Sequence, residues 1–398
     1  MTRRLAYLVL VLAAFPSVSS AQKPSGEAIR KGMQRFVDEG HVSGLVALVG
    51  GADGVVAVEA IGKRDLASDQ PMEPDTIFRV MSLTKPITAV AVMMLVDEGK
   101  VRLDDPVEQH LPEFRGQKLY AGFEGDKARL VPSPRAITIR DLLTHTSGLP
   151  DTPPPGYTDL DKHPDFTLAE AVKVIAGRPL SFPPGTKWAY SNAGMSTLGR
   201  LVEVVSGKPF DAFLRERLFG PLGMVDTTFY PTPEQMKRVA IVYDRKEGKL
   251  VEMPSSRSAP DPARNRPSPA GGLFSTAEDL GKLCRMMLNR GTLDDRRYLS
   301  EKSVAEMTRL QTGDLKCGFV DGMGFGLGWG FVKVPQGVTA SLPSGTFGHG
   351  GAYGTQGWVD PKGKRFVVLM IQRVGLKNAD DTPMRQELQR VALGPVRP

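Results

Sequence analysis

Apolar residues follow two rhythms along this chain. Near both ends they come in short runs suited to strands, and in between they recur at helical spacing. Ile29, Met33, Phe36 and Val37 share one face of a helix between Gly26 and Gly40. Apolar runs at 45–49 and 55–60, joined by Gly50-Gly-Ala-Asp-Gly54, predict a β-hairpin. The stretch 78–99 then carries Ile87, Val90, Met94 and Leu95 at helical spacing, with Ala, Val and Met filling much of the rest. A helix apolar nearly all round is a buried one.

From Asp104 to about Arg290 the texture is helical patches between Pro- and Gly-rich loops. A short helix within 138–148 ends at glycine. Thr167-Leu-Ala-Glu170 is a capping box that opens a helix to Gly177, and Ser275-Thr-Ala-Glu278 reads as another, opening a helix through Met287. Further helices are expected at 192–205 and 210–218. The loops 153–164 and 254–272 are long and proline-rich, as functional rims or covers are. Strand texture returns from about Gly324, at 325–334, 346–351, 356–360 and 365–371, before a last helix at 383–393. Strands at both ends with helices between predict an α/β fold: one sheet made from the two termini, flanked by helices, with an inserted, mainly helical domain. The expected division is a leader at 1–21, an α/β domain of 22–103 and 291–398, and a helical domain of 104–290.

The leader is expected because Arg3-Arg4 precede a wholly apolar run from Leu5 to Phe15, followed by Ser19-Ser20-Ala21. That is the layout of a secretory signal peptide cleaved after Ala21, with retention as an uncleaved anchor as the alternative. The run is too short to span a bilayer, and export as a soluble protein without stable membrane insertion follows. Without Arg3 and Arg4, 49 basic residues face 44 acidic ones, interspersed along the chain. Such a surface argues against a nucleic-acid partner. Cys284 and Cys317 are too few for a disulfide scaffold, and their spacing leaves a single bridge open. The five scattered histidines form no ligand pattern, so no metal or other cofactor is expected.

Candidate chemistry begins at Ser82 and Lys85, three apart and therefore on one helical face. Pro86 places them in the first turn, where backbone N–H groups are unpaired and an anion is favoured. An ammonium held among apolar groups loses pKa and can serve as base to a neighbouring hydroxyl. Ser-x-x-Lys is a loose pattern and recurs at Ser20–Lys23, but only Ser82 opens a buried helix. Tyr190-Ser191-Asn192 stands at a loop-to-helix corner. The tyrosine there is either a proton shuttle or a packed ring beside an N-cap. Gly348-His349-Gly350-Gly351 lies in the C-terminal strand region, where glycines admit close approach of a substrate or another backbone, or simply form a bulge. Gly-x-Ser-x-Gly does not occur.

In this order, Ser82-Leu-Thr-Lys85, Tyr190-Ser-Asn192 and a small-residue strand motif resemble the serine β-lactamase and penicillin-binding-protein superfamily. The chain is most similar to the class C β-lactamase-like serine hydrolases, which include the family VIII carboxylesterases. Thr138–Pro150, Pro184-Gly-Thr, Pro221-Leu-Gly-Met224 and the segment 270–279 extend the resemblance from about Gly26 to the end. It implies an antiparallel sheet built from both termini, a helical domain, and a site between them. Ser82 would be acylated, Lys85 would help deprotonate it, and Tyr190 would be general base and acid. Asn192 would contact Lys85 or substrate, and the oxyanion hole would be the N–H groups of Ser82 and Ala352, beside Gly350 and Gly351.

One departure bears on activity. His349-Gly350-Gly351 stands where β-lactamases and D,D-peptidases of the superfamily usually carry Lys-Thr-Gly. A mostly neutral histidine gives weaker attraction for a substrate carboxylate and less help to a tyrosinate, so activity should rise toward alkaline pH. Ester hydrolysis ranks first and β-lactam or D-amino-acid amide hydrolysis second. A catalytically idle binding protein is the third reading, against which the intact Ser82, Lys85, Tyr190 and Asn192 speak. The expected partner is a small-molecule ester or amide, held in a pocket walled by the loops 153–164 and 254–272.

Overall fold

A computed structural model describes residues 25–124 and 127–393. The expected leader and the second Ser-x-x-Lys match, at 20–23, lie outside the described residues.

The glycine-linked apolar runs form the expected hairpin, β1 (Gly44–Gly51) and β2 (Gly54–Asp65), extended by β3 (Gln70–Pro71). The C-terminal region adds β4 (Met323–Phe325), β5 (Gly330–Val332), β6 (Phe347–Gly350), β7 (Gln356–Asp360) and β8 (Arg365–Met370). These eight make one sheet in the order β4-β5-β6-β7-β8-β1-β2-β3, antiparallel throughout. The chain ends meet at β1 and β8, where Val46 pairs with Met370 and Val49 with Val367. The single strand expected over 325–334 is instead two, β4 and β5. Gly328, at φ +75°, turns the chain between them and leaves so little room that a Cβ would stand 2.4 Å from Cβ of Ala89.

Seven helices concern the site: α1 (Gly26–Asp38), α2 (Thr84–Asp97), α3 (Ile139–Leu143), α4 (Leu168–Ala176), α5 (Asn192–Ser206), α6 (Ala277–Leu288) and α7 (Pro383–Leu393). Period-two alternation divides the sheet between two cores. Leu45, Ala47, Val49, Val367 and Leu369 cluster with Ile29, Met33 and Phe36 of α1 and Leu388 of α7. Val46, Leu48, Phe366, Val368 and Met370 join the larger core with α2, α5 and α6. Every residue of α2 from Thr84 to Leu95 is buried, as its nearly all-round apolarity requires.

Three expectations need correction. The helical domain was expected to run to residue 290, but α6 packs on β1, β7 and β8 through Leu280, Leu283 and Cys284. An amphipathic helix covering a sheet face carries the same periodicity as one in an inserted bundle, so texture does not separate them. The cap of α6 is Thr276, whose side chain accepts from the Asp279 N–H, because Ser275 is drawn into strand pairing with Phe78. The helix expected at 210–218 is regular only over Phe210–Leu214 and continues as a π-helical turn, Arg215–Phe219. Thr167 and Glu170 do form their capping box. Cys284 and Cys317 are both buried free thiols, which closes the question of a bridge. No described helix is long and apolar enough to cross a membrane.

Candidate active site

Ser82 lies in the 3-10 turn Met81–Leu83 that leads into α2. Met81 holds φ +50°, unusual for a side chain with a Cβ and a sign of local backbone strain at this turn. The segment 269–273 braces it: the Val80 N–H donates to Leu273 O at 2.9 Å and the Thr88 hydroxyl to Pro269 O at 2.7 Å. The Thr84 hydroxyl donates to Met81 O at 2.7 Å.

Lys85 is fully buried, and its Nζ reaches Ser82 Oγ at 3.1 Å, Asn192 Oδ1 at 2.8 Å and Ala270 O at 2.7 Å. Burial lowers its pKa from 10.5 to about 7, against an opposing pull from Asp151. A large neutral fraction at pH 7 follows. Two of its three contacts can only accept hydrogen bonds, so a neutral amine gives its two hydrogens to Asn192 and Ala270. Its lone pair is then left for the Ser82 hydroxyl proton.

Tyr190 stands beside this pair, with Lys85 Nζ 4.5 Å from its ring centroid. Burial pushes the Tyr190 pKa well above its ordinary value, and a hydrogen bond with Ser82 opposes that shift. At neutral pH it is a phenol, able to donate a proton. A residue to which the sequence reading gave no role holds this corner. His145, at φ +60°, accepts the Ala189 N–H at its carbonyl (2.9 Å) and the Ser191 N–H at Nδ1 (3.2 Å). Its ring packs 4.6 Å from that of Tyr190. Burial, with Lys85 and His349 nearby, keeps His145 neutral. Ser191 caps α5, so Tyr190 is both a neighbour of an N-cap and a neighbour of Ser82.

Asp151 is a second residue not singled out in the sequence. Its carboxylate accepts from Asn192 Nδ2 at 3.0 Å and from the Ala193 N–H at 2.8 Å. This orients the Asn192 amide with Oδ1 toward Lys85. In Asp151→Asn the Lys85 pKa should fall further, because the charge that raises it is gone. The acid limb of the kcat/KM profile then moves to lower pH, while the plateau drops about ten- to a hundredfold as Asn192 loosens. An unmoved limb in a pH-rate titration would contradict this coupling.

The third motif meets the Ser82 loop through the turn that follows it. The Gly351 N–H donates to Thr355 O at 2.7 Å, and the Thr355 hydroxyl donates to Val80 O at 2.9 Å, so the turn after β6 is tied to the Ser82 loop. A Cβ on Gly351 would lie 2.5 Å from Val80 O, which explains the glycine. Among the described residues, no acceptor takes the N–H of Ser82 or of Ala352, and both residues line one cavity of about 870 Å³. That cavity has walls from residues within 151–164 and 265–271, which overlap the two proline-rich stretches, and includes Tyr190 and Asn192.

His349 was expected to face substrate, and it does not line this cavity. Its ring is buried, 6.0 Å from that of Tyr190, and Nδ1–H donates to Gly350 O at 2.6 Å. Strand alternation turns the side chain toward Phe325, Asp380 and Arg385, away from the cleft. Burial and Lys85 lower its pKa to about 4, so it is neutral at pH 7. Gly350 and Gly351 likewise do not line the cleft, while Ala352 does.

Residues 29–390 match the Beta-lactamase family. Esterase EstB of Burkholderia gladioli is 32% identical over 81% of this chain and 84% of its own length. Penicillin-binding protein 4 of Amycolatopsis lactamdurans is 33% identical over 80% of this chain and 77% of its own. The solved structure of EstCE1, described as a hydrolase with promiscuous acyltransferase activity, superposes with a TM-score of 0.76. It is 25% identical and covers 92% of this chain and 98% of that one. Sheet, inserted helices and match together make the assignment: the chain is a serine hydrolase that belongs to the Beta-lactamase family.

Proposed function

We propose that the protein cleaves carboxylic esters through an acyl-enzyme on Ser82. The observation that carries this is the Lys85 amine, buried, near pKa 7 and in contact with Ser82 Oγ. Ser82 Oγ attacks the ester carbonyl carbon as its proton passes to Lys85 Nζ. The carbonyl oxygen, now negative, is received by the N–H groups of Ser82 and Ala352. Tyr190 gives its phenolic proton to the departing alcohol and regains one from Lys85. A water, deprotonated by the same groups, then attacks the acyl-Ser82 carbonyl and releases the acid.

Charge favours an ester over a β-lactam. A β-lactam or terminal D-alanine brings a carboxylate close to the bond that breaks. The residue at the place of the family's motif lysine is a buried, neutral His349, and Asp151, Asp159 and Asp161 line the cleft. Arg178 and Arg266 also line it, but Arg178 donates to Pro150 O, Asp151 O and Thr158 O, and Arg266 to His163 O and Phe166 O. The likeness to esterase EstB adds to this reading. Steady-state kcat/KM should favour p-nitrophenyl butyrate over nitrocefin by at least about a hundredfold. Nitrocefin turnover equal to or faster than the ester's would reverse the ranking.

A further inference from the structure

A second cavity, of about 400 Å³, lies against the active-site cleft; Asn265, Arg266 and Ser268 line both. Tyr353, next in the chain after Ala352, also lines it. Much of the wall is apolar, from Phe229, Tyr230, Val242 and Met253. Its charged lining is Arg79 and Arg266, with no carboxylate. The cleft beside Ser82, by contrast, has three carboxylates in its wall.

Arg79 is held rigidly and left partly unused. Strand pairing with Phe274 fixes its backbone, and its guanidinium lies 4.6 Å from the Phe274 ring centroid. Nη2 donates to the carbonyls of Ser255, Ser256 and Ser258 at 3.3, 3.1 and 2.8 Å. Among the described residues, Nε and Nη1 have no acceptor and no carboxylate pairs with Arg79. The acids of the neighbouring segment are taken: Arg257 pairs with both Asp65 and Glu252. The Tyr353 phenol is close enough to act on Arg79 electrostatically. A half-buried cation without a counter-ion, beside a hydroxyl and an apolar wall, suits a carboxylate, which can accept a charge-assisted hydrogen bond from a free guanidinium N–H.

We propose that this cavity is a distal subsite for a carboxylate, carried at the end of an apolar arm of the ester that Ser82 cleaves. The inference rests on the esterase reading and narrows its substrate class. Arm length decides the sign of the effect. A short arm leaves the anion among Asp151, Asp159 and Asp161, whereas a longer one brings it to Arg79.

The test compares kcat/KM for p-nitrophenyl half-esters from succinate to suberate with neutral p-nitrophenyl esters of equal length. A parallel series places the carboxylate on the alcohol arm, as 4-carboxyphenyl against phenyl alkanoates. In one series the charged ester should be the poorer substrate when short and about tenfold the better when long, with the preference shrinking in high salt. Arg79→Gln should bring that ratio to about one, and Arg79→Lys should keep part of it. The length series on the unaltered protein needs no variant, so a folding defect in Arg79→Gln leaves the result readable. Neutral esters turned over with no charged preference in either series would overturn the subsite alone. Silence on every ester would overturn the esterase reading, and the subsite with it.

Discussion

Ser82→Ala is expected to reduce ester kcat/KM by a factor on the order of 10⁴ or more, toward the rate of the oxyanion donors and binding alone. The substitution removes the atom that would attack, and among the described residues no other serine or threonine hydroxyl is hydrogen-bonded to a lysine amine. Ser196 also lines the cleft but stands within α5, and among the described residues no lysine is hydrogen-bonded to its hydroxyl. The fold should be indifferent. Ser82 gives up its hydroxyl contacts with Lys85 and Tyr190, and Lys85 keeps Asn192 and Ala270. A melting temperature within a few degrees of the parent, beside a lost rate, is the expected pair of results. A residual rate within tenfold of the parent would mean that another group attacks.

Lys85→Met is expected to cost about 10³-fold in kcat/KM and to remove a pH limb. In the parent, the neutral amine is the active form and the folded pKa is about 7, so kcat/KM should climb with pH through about 7 and level off above it. The sequence led us to expect an alkaline rise through Tyr190, but burial holds that phenol protonated well beyond this range, so the limb is assigned to Lys85. Stability should carry the same signature. A lysine with a depressed folded pKa binds fewer protons than its unfolded counterpart between about 7 and 10.5, so parent stability should rise with pH across that window. Lys85→Met should flatten the rise. Its net stability change is small, because relief of a buried cation is set against two acceptors, Asn192 Oδ1 and Ala270 O, left without a donor. Parallel kcat/KM profiles and urea midpoints from pH 6 to 10 read both effects. An activity limb unchanged in the variant would remove Lys85 from the role of base.

Much of the architecture was legible because burial writes itself into periodicity. The unbroken apolar runs of Leu45 to Val49 and of Phe366 to Met370 mark strands with two covered faces. The unbroken apolarity of α2 marks a helix with none exposed. Ser82 and Lys85 were legible as candidates because a helix start brings them onto one face, and Tyr190 and Asn192 became candidates through the order of motifs that resembles the family. What escaped the sequence was made at a distance or by backbone. Asp151 meets Asn192 across 41 positions, and Ala270 contributes a carbonyl that any residue would supply. His145 is conspicuous only once its positive φ and its grip on Ser191 are seen. His349 misled for a related reason: a strand motif names the residue, but which face it takes depends on register, and here the side chain turns inward. The Arg79 cavity is assembled from segments near residues 79, 229, 255 and 353, so its all-basic lining has no linear signature.

The most direct test of the central claim is intact-protein mass spectrometry after reaction with a fluorophosphonate, followed by peptide mapping, on the parent and Ser82→Ala. The account predicts one adduct per chain on the Ser82 peptide, its formation blocked by excess ester, and no adduct in the variant. An adduct on any other residue, or labelling that persists in Ser82→Ala, would contradict it.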